Sequence, residues 1–373
     1  MKHFLKVSWI VFCSIFSVIF LISSCSQFIP PSVFSYIIFF AIAFPYLFAG
    51  MAILAICSLF IQKQAAYIML ALLVAGLYNL SQTIAISPNS TWKQSKEKNS
   101  LRVLTWNVAD FVNSSPLNTP KGKTRKEMLE LITSYNPDVL CLQEYDHWVG
   151  SKKLADVRKE LDSIGYKYIL QSDDIITKTQ WTTLFKGVAI CSKTPFTDSG
   201  KATFQYDNRN ESMLYADILL QNKQVRIATA HLFSYFLFPE SDYGYEGGER
   251  RVMKKLYSYK GNVQYRMRDT DLEHEYEAKI ISGVLDTSSH AVIYCGDTNT
   301  VPTTYAYRIL RNGRQDAFLA KGNGIGNTFY KVAPTLRIDV CFADKALEVL
   351  QCEVANKKLS DHYAVVTDVC WKQ

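Results

Sequence analysis

Several polar residues of this chain share one setting: each ends, or closely neighbours, an apolar run that reads as a buried strand. Asn107 follows LRVLTW, Glu144 follows VLCLQ, His231 follows RIATA, and Asp297 with Asn299 follows AVIYCG. Asp339 closes Arg337-Ile338-Asp339, and Asp361 with His362 lies in the terminal run from Leu359 to Val369. One such residue is a cap; the pattern repeated six times along one chain implies a site. The residue types suit one chemistry. Carboxylates with an amide are oxygen donors for a hard divalent cation such as Mg²⁺, with Mn²⁺ as its substitute. Two histidines beside acids suit proton transfer and charge stabilisation. Together they are the parts for metal-assisted attack of water on a phosphoester.

Each residue also has a plainer reading. Asn107 could cap a turn, Glu144 could be a surface acid, His231 a satisfied strand-end histidine, and Asp339 a partner of Arg337. Asp297 and Asn299 could cap a helix over residues 302–310. His147, His274 and His290 end no strand and join no motif, so they are assigned structural places. None of the nine Cys forms a CxxC pair, which supports neither a zinc site nor a redox motif. Cys141, Cys191, Cys295, Cys341 and Cys370 sit in strand-like runs as small core hydrophobes.

The elements that must position these groups alternate between strand and helix, which indicates an α/β domain. Strands are expected at 101–107, 139–142, 166–170, 187–191, 213–219, 224–230 and 291–295, with Gly296 breaking the last, and another strand runs through Arg337 to Asp339. Helical spacing marks 124–135, 155–164 and 271–285. Residues 234–261, rich in Tyr and Gly, read as a long, partly mobile loop.

The first 86 residues are different in kind. Apolar runs near 4–23, 32–60 and 65–82 are each long enough to cross a bilayer as a helix. A cleavable signal peptide accounts for the first run but not the other two. Lipoprotein-type cleavage at Cys25 is the rival, disfavoured by two further spans directly after it. Lys2, Lys6 and Lys63 place the N-terminus and the second loop in the cytoplasm, which leaves the C-terminal half outside an inner membrane. Lys93, Lys96 and Lys98 oppose this assignment weakly. A polar linker is expected over 87–100 and the catalytic domain over 101–373. Residues 101–373 carry 35 basic and 33 acidic side chains, which argues against a broad polyphosphate-binding surface and leaves room for a local basic patch.

The chain resembles the endonuclease/exonuclease/phosphatase superfamily, whose members include deoxyribonuclease I and the neutral sphingomyelinases. The resemblance rests on TWNV around Asn107, PDVLCLQE ending at Glu144, GVAICSKTPF from Gly187, TAHL around His231, GDTN around Asn299, RID ending at Asp339, and SDH ending at His362. Thr298 and Val340 depart from the family's usual Phe and Tyr. The resemblance implies a four-layer α/β/β/α sandwich, two packed mixed sheets with outer helices; the apolar runs before it are read as about three transmembrane helices. It implies that Glu144 is the main metal ligand, with Asn107 and Asp361 nearby. It further implies that His362, oriented by Asp339, contacts the phosphate or activates water, with Asp297 the other candidate for that activation. Asn299 would hold Asp297 and the phosphate, and His231 would stabilise charge or protonate the leaving group. The expected activity is Mg²⁺-dependent hydrolysis of a phosphoester, most simply a phosphodiester, at the outer face of a membrane. The substrate could be a lipid head group, a nucleic acid or a small phosphoester. A sphingomyelinase-like phospholipid phosphodiesterase and a nuclease are the alternatives on this scaffold. An inactive binding module is disfavoured, since every acting position holds a suitable residue. No obligate protein partner is implied.

Overall fold

Every residue of β1 (Leu101–Asn107) is buried, because its two faces meet different cores. The computed structural model describes residues 2–87, 91–113, 120–151, 154–206, 209–235 and 262–372. Leu101 and Val103 enter one apolar cluster, and Leu104 and Trp106 the other. In β2 (Val139–Val149), Val139 and Cys141 join the first cluster, and Leu140 and Leu142 the second. This alternation hides the usual polar face, so both strands read as continuous apolar runs. The first cluster reaches Leu214, Ile227, Ile293 and Cys295 of a second sheet. The second cluster reaches Phe111 of α4 (Ala109–Asn113), Met128 and Ile132 of α5 (Pro120–Tyr135), and Leu161 of α6 (Val157–Ser163). The fold is the four-layer sandwich, and each large apolar side chain sealed in it contributes about 1.5–3 kcal/mol.

One sheet runs β12 (Leu347–Ala355), β13 (Ala364–Trp371), β1, β2, β5 (Thr183–Ser192) and β3 (Tyr168–Gln171), with β4 (Ile175–Lys178) pairing β5. The other runs β10 (Gln315–Asp316), β11 (Asp339–Ala343), β9 (Ala291–Asp297), β8 (Lys223–His231), β7 (Arg209–Leu220) and β6 (Asp198–Tyr206). Three expected strand ends are corrected. Glu144 does not follow β2 but lies inside it, at a bulge between Leu142 and Tyr145. Asp339 opens β11 rather than closing a strand, and Asp361 and His362 precede β13. All remain at one edge because β11 is antiparallel to β9 and β13 antiparallel to β1. Gly296 does not break β9. It pairs with Val340, and a Cβ there would lie 2.3 Å from Ala230 O in β8, so only glycine admits that approach.

Compactness divides the chain into two units. Unit 2 holds residues 81–232, 279–302 and 309–373, including both sheets. Residues 91–100, part of the expected 87–100 linker, fall within it. Lys93 N–H donates to Gln351 at 3.0 Å, and Arg102 sits 4.7 Å over the Trp92 ring. Unit 1 holds residues 1–80, 233–278 and 303–308. Its helices α1 (Lys2–Ser24), α2 (Ile37–Ile61) and α3 (Lys63–Thr83) are long and apolar enough to cross a membrane. The second span was expected to open at residue 32, but 32–36 form turns after Pro30-Pro31, and α2 starts at Ile37. Phe4 and Phe60 are exposed while Phe20 and Phe44 stack in the centre of the bundle, as in a helix group solvated by lipid. Most of the Tyr-rich loop, residues 236–261, lies outside the described residues.

Candidate active site

The shared edge assembles because three strand pairs are in step. Parallel β8 and β9 end together, with His231 opposite Asp297, and antiparallel β11 begins there, with Asp339 opposite Asp297. In the other sheet Asn107 lies opposite Gln143, one residue before Glu144. Side chains then join the sheets. Asn107 Nδ2 donates to Asp297 Oδ2 at 3.0 Å and to Glu144 Oε1 at 3.0 Å. Its Oδ1 accepts the Ala109 N–H at 3.1 Å, so the turn-capping reading of Asn107 also describes part of what it does. Beneath it, Gln143 bridges the same sheets through Thr229 Oγ1 at 2.9 Å and Thr105 Oγ1 at 3.1 Å.

Asp297 is the hub. It is buried, and Asn299 N–H donates to its Oδ1 at 2.9 Å. Its Oδ2 faces His231 Nε2 and His362 Nε2, each at 3.5 Å. Asp297 and Asn299 therefore serve the edge and do not cap α8, which spans Tyr305–Arg311. His362 Nδ1 lies 2.8 Å from Asp339 Oδ2. Arg337, the alternative partner for Asp339, instead pairs with Asp316 and donates to Gln82 O. Asn299 Nδ2 reaches His231 Nε2 at 3.1 Å and Leu232 O at 2.8 Å. Asp361 is half-buried, its Oδ1 accepting Ser360 Oγ at 3.1 Å.

Backbone strain concentrates here. Glu144 and Asn299 have φ of 50° and 47°, and Ala109, Asp110 and Phe111 have 44°, 58° and 46° in succession. Left-handed backbone in non-glycine residues costs about 1–3 kcal/mol each and persists only where surrounding contacts enforce it. The bulge turns Glu144 out of the strand's alternation, leaving its side chain 40% exposed, so it meets solvent, while Asp297 does not.

The charges separate two sub-clusters. The Glu144 carboxyl is raised above its ordinary value, first by desolvation and then by the like charges of Asp110 and Asp361, with His231 and Asn107 opposing. Acids crowded in this way with solvent access are the donor set a hard divalent cation relieves. Asp297, Asp339 and His362 also place ligand atoms within 4.8 Å of one another. That trio fits a cation less well, because both ring nitrogens of His362 already face carboxylates. Burial lowers His362, but the charges of Asp339 and Asp297 outweigh it and raise it well above the usual imidazole value. Burial also raises the Asp339 carboxyl above its ordinary value, with the facing His362 charge opposing the rise. A metal needs a neutral imidazole nitrogen, whereas Glu144 and its neighbours could hold a cation through oxygen atoms alone.

Three supporting residues carry no clear signal in the sequence pattern. Gln143 stood beside Glu144 in LCLQE. Thr328, after the Gly-rich segment, accepts the N–H groups of Ile338 and Asp339 on its Oγ1, each at 3.0 Å. Phe329 bridges His362, with ring centroids 4.9 Å apart. Only the GNTFY context hinted at the last two. His147 and His290 lie away from the edge, beside Asp156 and Asp217, and cavities of 270 and 470 Å³ at the opposite ends of β8 and β9 include none of the site residues.

A two-sheet sandwich with this edge defines a phosphoester-hydrolase scaffold. The sequence profile of the Endonuclease/Exonuclease/phosphatase family matches residues 104–362, and the chain belongs to that family. Residues 3–83 match a family described as Domain of unknown function (DUF8431). No curated protein matches the chain. Among solved structures it is similar to an endonuclease/exonuclease/phosphatase from Beutenbergia cavernae DSM 12333, at 19% identity over 74% of this chain and 72% of that one, TM-score 0.51. It is also similar to a family protein from Leptotrichia buccalis C-1013-b, at 17% identity over 72% and 99%, TM-score 0.48. A third is the human Nocturnin catalytic domain, at 18% identity over 74% and 97%, TM-score 0.49.

Proposed function

We propose that this chain is a Mg²⁺-dependent phosphodiester hydrolase held at a membrane by residues 1–86, with 101–373 as the catalytic part. The observation that supports it best is the buried Asp297 carboxylate, on which Asn107, His231, Asn299 and His362 converge from both sheets. Glu144, with Asn107 and Asp361, would hold the cation, whose charge would offset that of the phosphate and favour attack by water. Asp297 takes the proton of the attacking water, a role suited to a carboxylate whose neighbour His362 already keeps its own proton. His362, fixed by Asp339, sets a positive charge against the phosphoryl oxygens. His231, held by Asn299, supplies a proton to the leaving oxygen as the ester P–O bond breaks, giving a phosphomonoester and an alcohol.

The three apolar helices favour a lipid phosphodiester as substrate, and the near-neutral charge of 101–373 disfavours a nucleic acid. The positions of Lys2, Lys6 and Lys63 support a catalytic part on the non-cytoplasmic side. The test is hydrolysis of bis-p-nitrophenyl phosphate, phospholipid vesicles and DNA by the full-length protein, with EDTA and after readdition of Mg²⁺ or Mn²⁺. Turnover that EDTA leaves intact, or none on any phosphodiester, refutes the assignment.

A further inference from the structure

Helix α7 (Val263–Asp286) carries His274, Glu275 and Glu277, all buried, within little more than one turn. Burying two acids and a histidine there is costly unless each is satisfied. Their partners are unusual in position. Glu275 takes both donors of Ser32, N–H at 2.8 Å and Oγ at 2.9 Å, and Ser32 lies in the connection between α1 and α2. On either side of Glu275, the helix holds the backbone of Phe233. His274 Nε2 is 2.6 Å from Phe233 O, and Phe233 N–H donates to Glu277 Oε2 at 3.2 Å. The carbonyl can only accept, so Nε2 carries the ring proton, and Nδ1 faces the Tyr235 hydroxyl at 3.3 Å.

Phe233 follows Leu232 and His231 directly in the chain. Leu232 is built into the active-site edge on both sides: its N–H donates to Asp297 O at 2.9 Å, and its carbonyl accepts Asn299 Nδ2 at 2.8 Å. The α1–α2 connection is held to unit 1 a second time, by Ser26 Oγ on Thr303 O at 2.7 Å, with Thr303 four residues beyond Asn299. Thr303 Oγ1 in turn donates to Ala41 O at 2.8 Å.

We propose that His274, Glu275 and Glu277 are positioning residues for hydrolysis, and that they make the placement of His231 and Asn299 depend on the membrane anchor's α1–α2 connection. This rests on the hydrolase reading above. The anchor is then a working part of the enzyme, and a disturbance of the connection at Ser32 reaches the site through α7, Phe233 and Leu232. Displacements well under an ångström at reacting groups change rates, and about 1 Å costs about a hundredfold.

The test uses the full-length protein in detergent micelles, with Glu275→Gln and, remote from the catalytic residues, Ser32→Ala. Turnover of bis-p-nitrophenyl phosphate is measured per folded protein, together with amide exchange of the peptide containing residues 229–235. The expected result for Glu275→Gln is a fall in kcat of about tenfold at unchanged KM, with faster exchange at Leu232 and Phe233. Ser32→Ala should move both readings in the same direction by a smaller amount. A purely structural role would lower the folded fraction and leave kcat per folded protein intact. The proposal is overturned if exchange at 232–233 is unchanged in Glu275→Gln, or if it quickens while kcat stays within twofold. A wild type that hydrolyses no phosphodiester refutes the assigned activity instead, and the exchange measurement still decides whether the α7 strap exists.

Discussion

Replacing Asp339 by Asn removes a buried carboxylate beneath His362 while keeping the side chain's shape. The two groups lie 2.8 Å apart, and neither is exposed, so solvent cannot substitute for the lost charge. Removing one partner of a buried pair costs about 3–5 kcal/mol of interaction, and a positioned acid–base group contributes about 10²–10⁴-fold in rate. His362→Ala and Asp339→Asn should therefore each lower turnover by about 10²–10⁴-fold. If the residues act separately, the double variant loses the product of the two effects, about 10⁴–10⁸-fold. If they act as one unit, it loses little more than the worse single variant. The two outcomes differ by about 3–5 kcal/mol of coupling. The assay is steady-state hydrolysis of bis-p-nitrophenyl phosphate at saturating Mg²⁺, with circular dichroism and thermal melting on all four proteins. Multiplicative losses in a folded double variant refute the pair and leave Asp339 a structural acid.

Glu144→Gln removes the charge of the bulge carboxylate and should raise the Mg²⁺ concentration for half-maximal turnover by at least about tenfold. Metal titration of activity checks this, and an unshifted midpoint removes Glu144 from the cation site. Gly296→Ala forces a Cβ to 2.3 Å from Ala230 O, a backbone atom that cannot swing aside. It should destabilise unit 2 by about 1–3 kcal/mol or more, visible in chemical denaturation. Asp271 on α7 is 1% exposed, its Oδ1 lacks a partner among the described residues, and burial followed by the Glu275 charge pushes its carboxyl up to about 8. A raised carboxyl binds its proton more tightly when folded, so stability is full below pH about 4 and falls by about 1.4 kcal/mol per unit as pH rises to about 8. Melting temperature followed from pH 5 to 9 should decline, and Asp271→Asn should flatten the decline; an identical slope in the variant rules Asp271 out as its source.

The three long apolar helices and the polar residues that meet at the sheet edge were legible in the sequence for a physical reason. Crossing a bilayer is a property of a run's length and polarity, which needs no partner to be read. Strands sealed on both faces, such as Leu101–Asn107 and Ala291–Asp297, show as apolar runs, and a polar group at their ends stands out against them. Exposed or edge strands have no such contrast. β4 is exposed throughout and β6 nearly so, and neither was expected from the pattern. Direction and register belong to the tertiary structure alone. Asp339 was expected to close a strand but opens one, and His362, expected within the terminal run, lies before its strand, because only pairing decides that β11 and β13 run antiparallel to β9 and β1. The same holds for Glu144, whose bulge arises where β2 falls out of step with β5 between Leu142 and Tyr145. The hydrogen bond from Asn107 to Asp297 joins two sheets across 190 residues of chain. Local sequence supplied the two side chains; closure of one sheet upon the other decided that they meet.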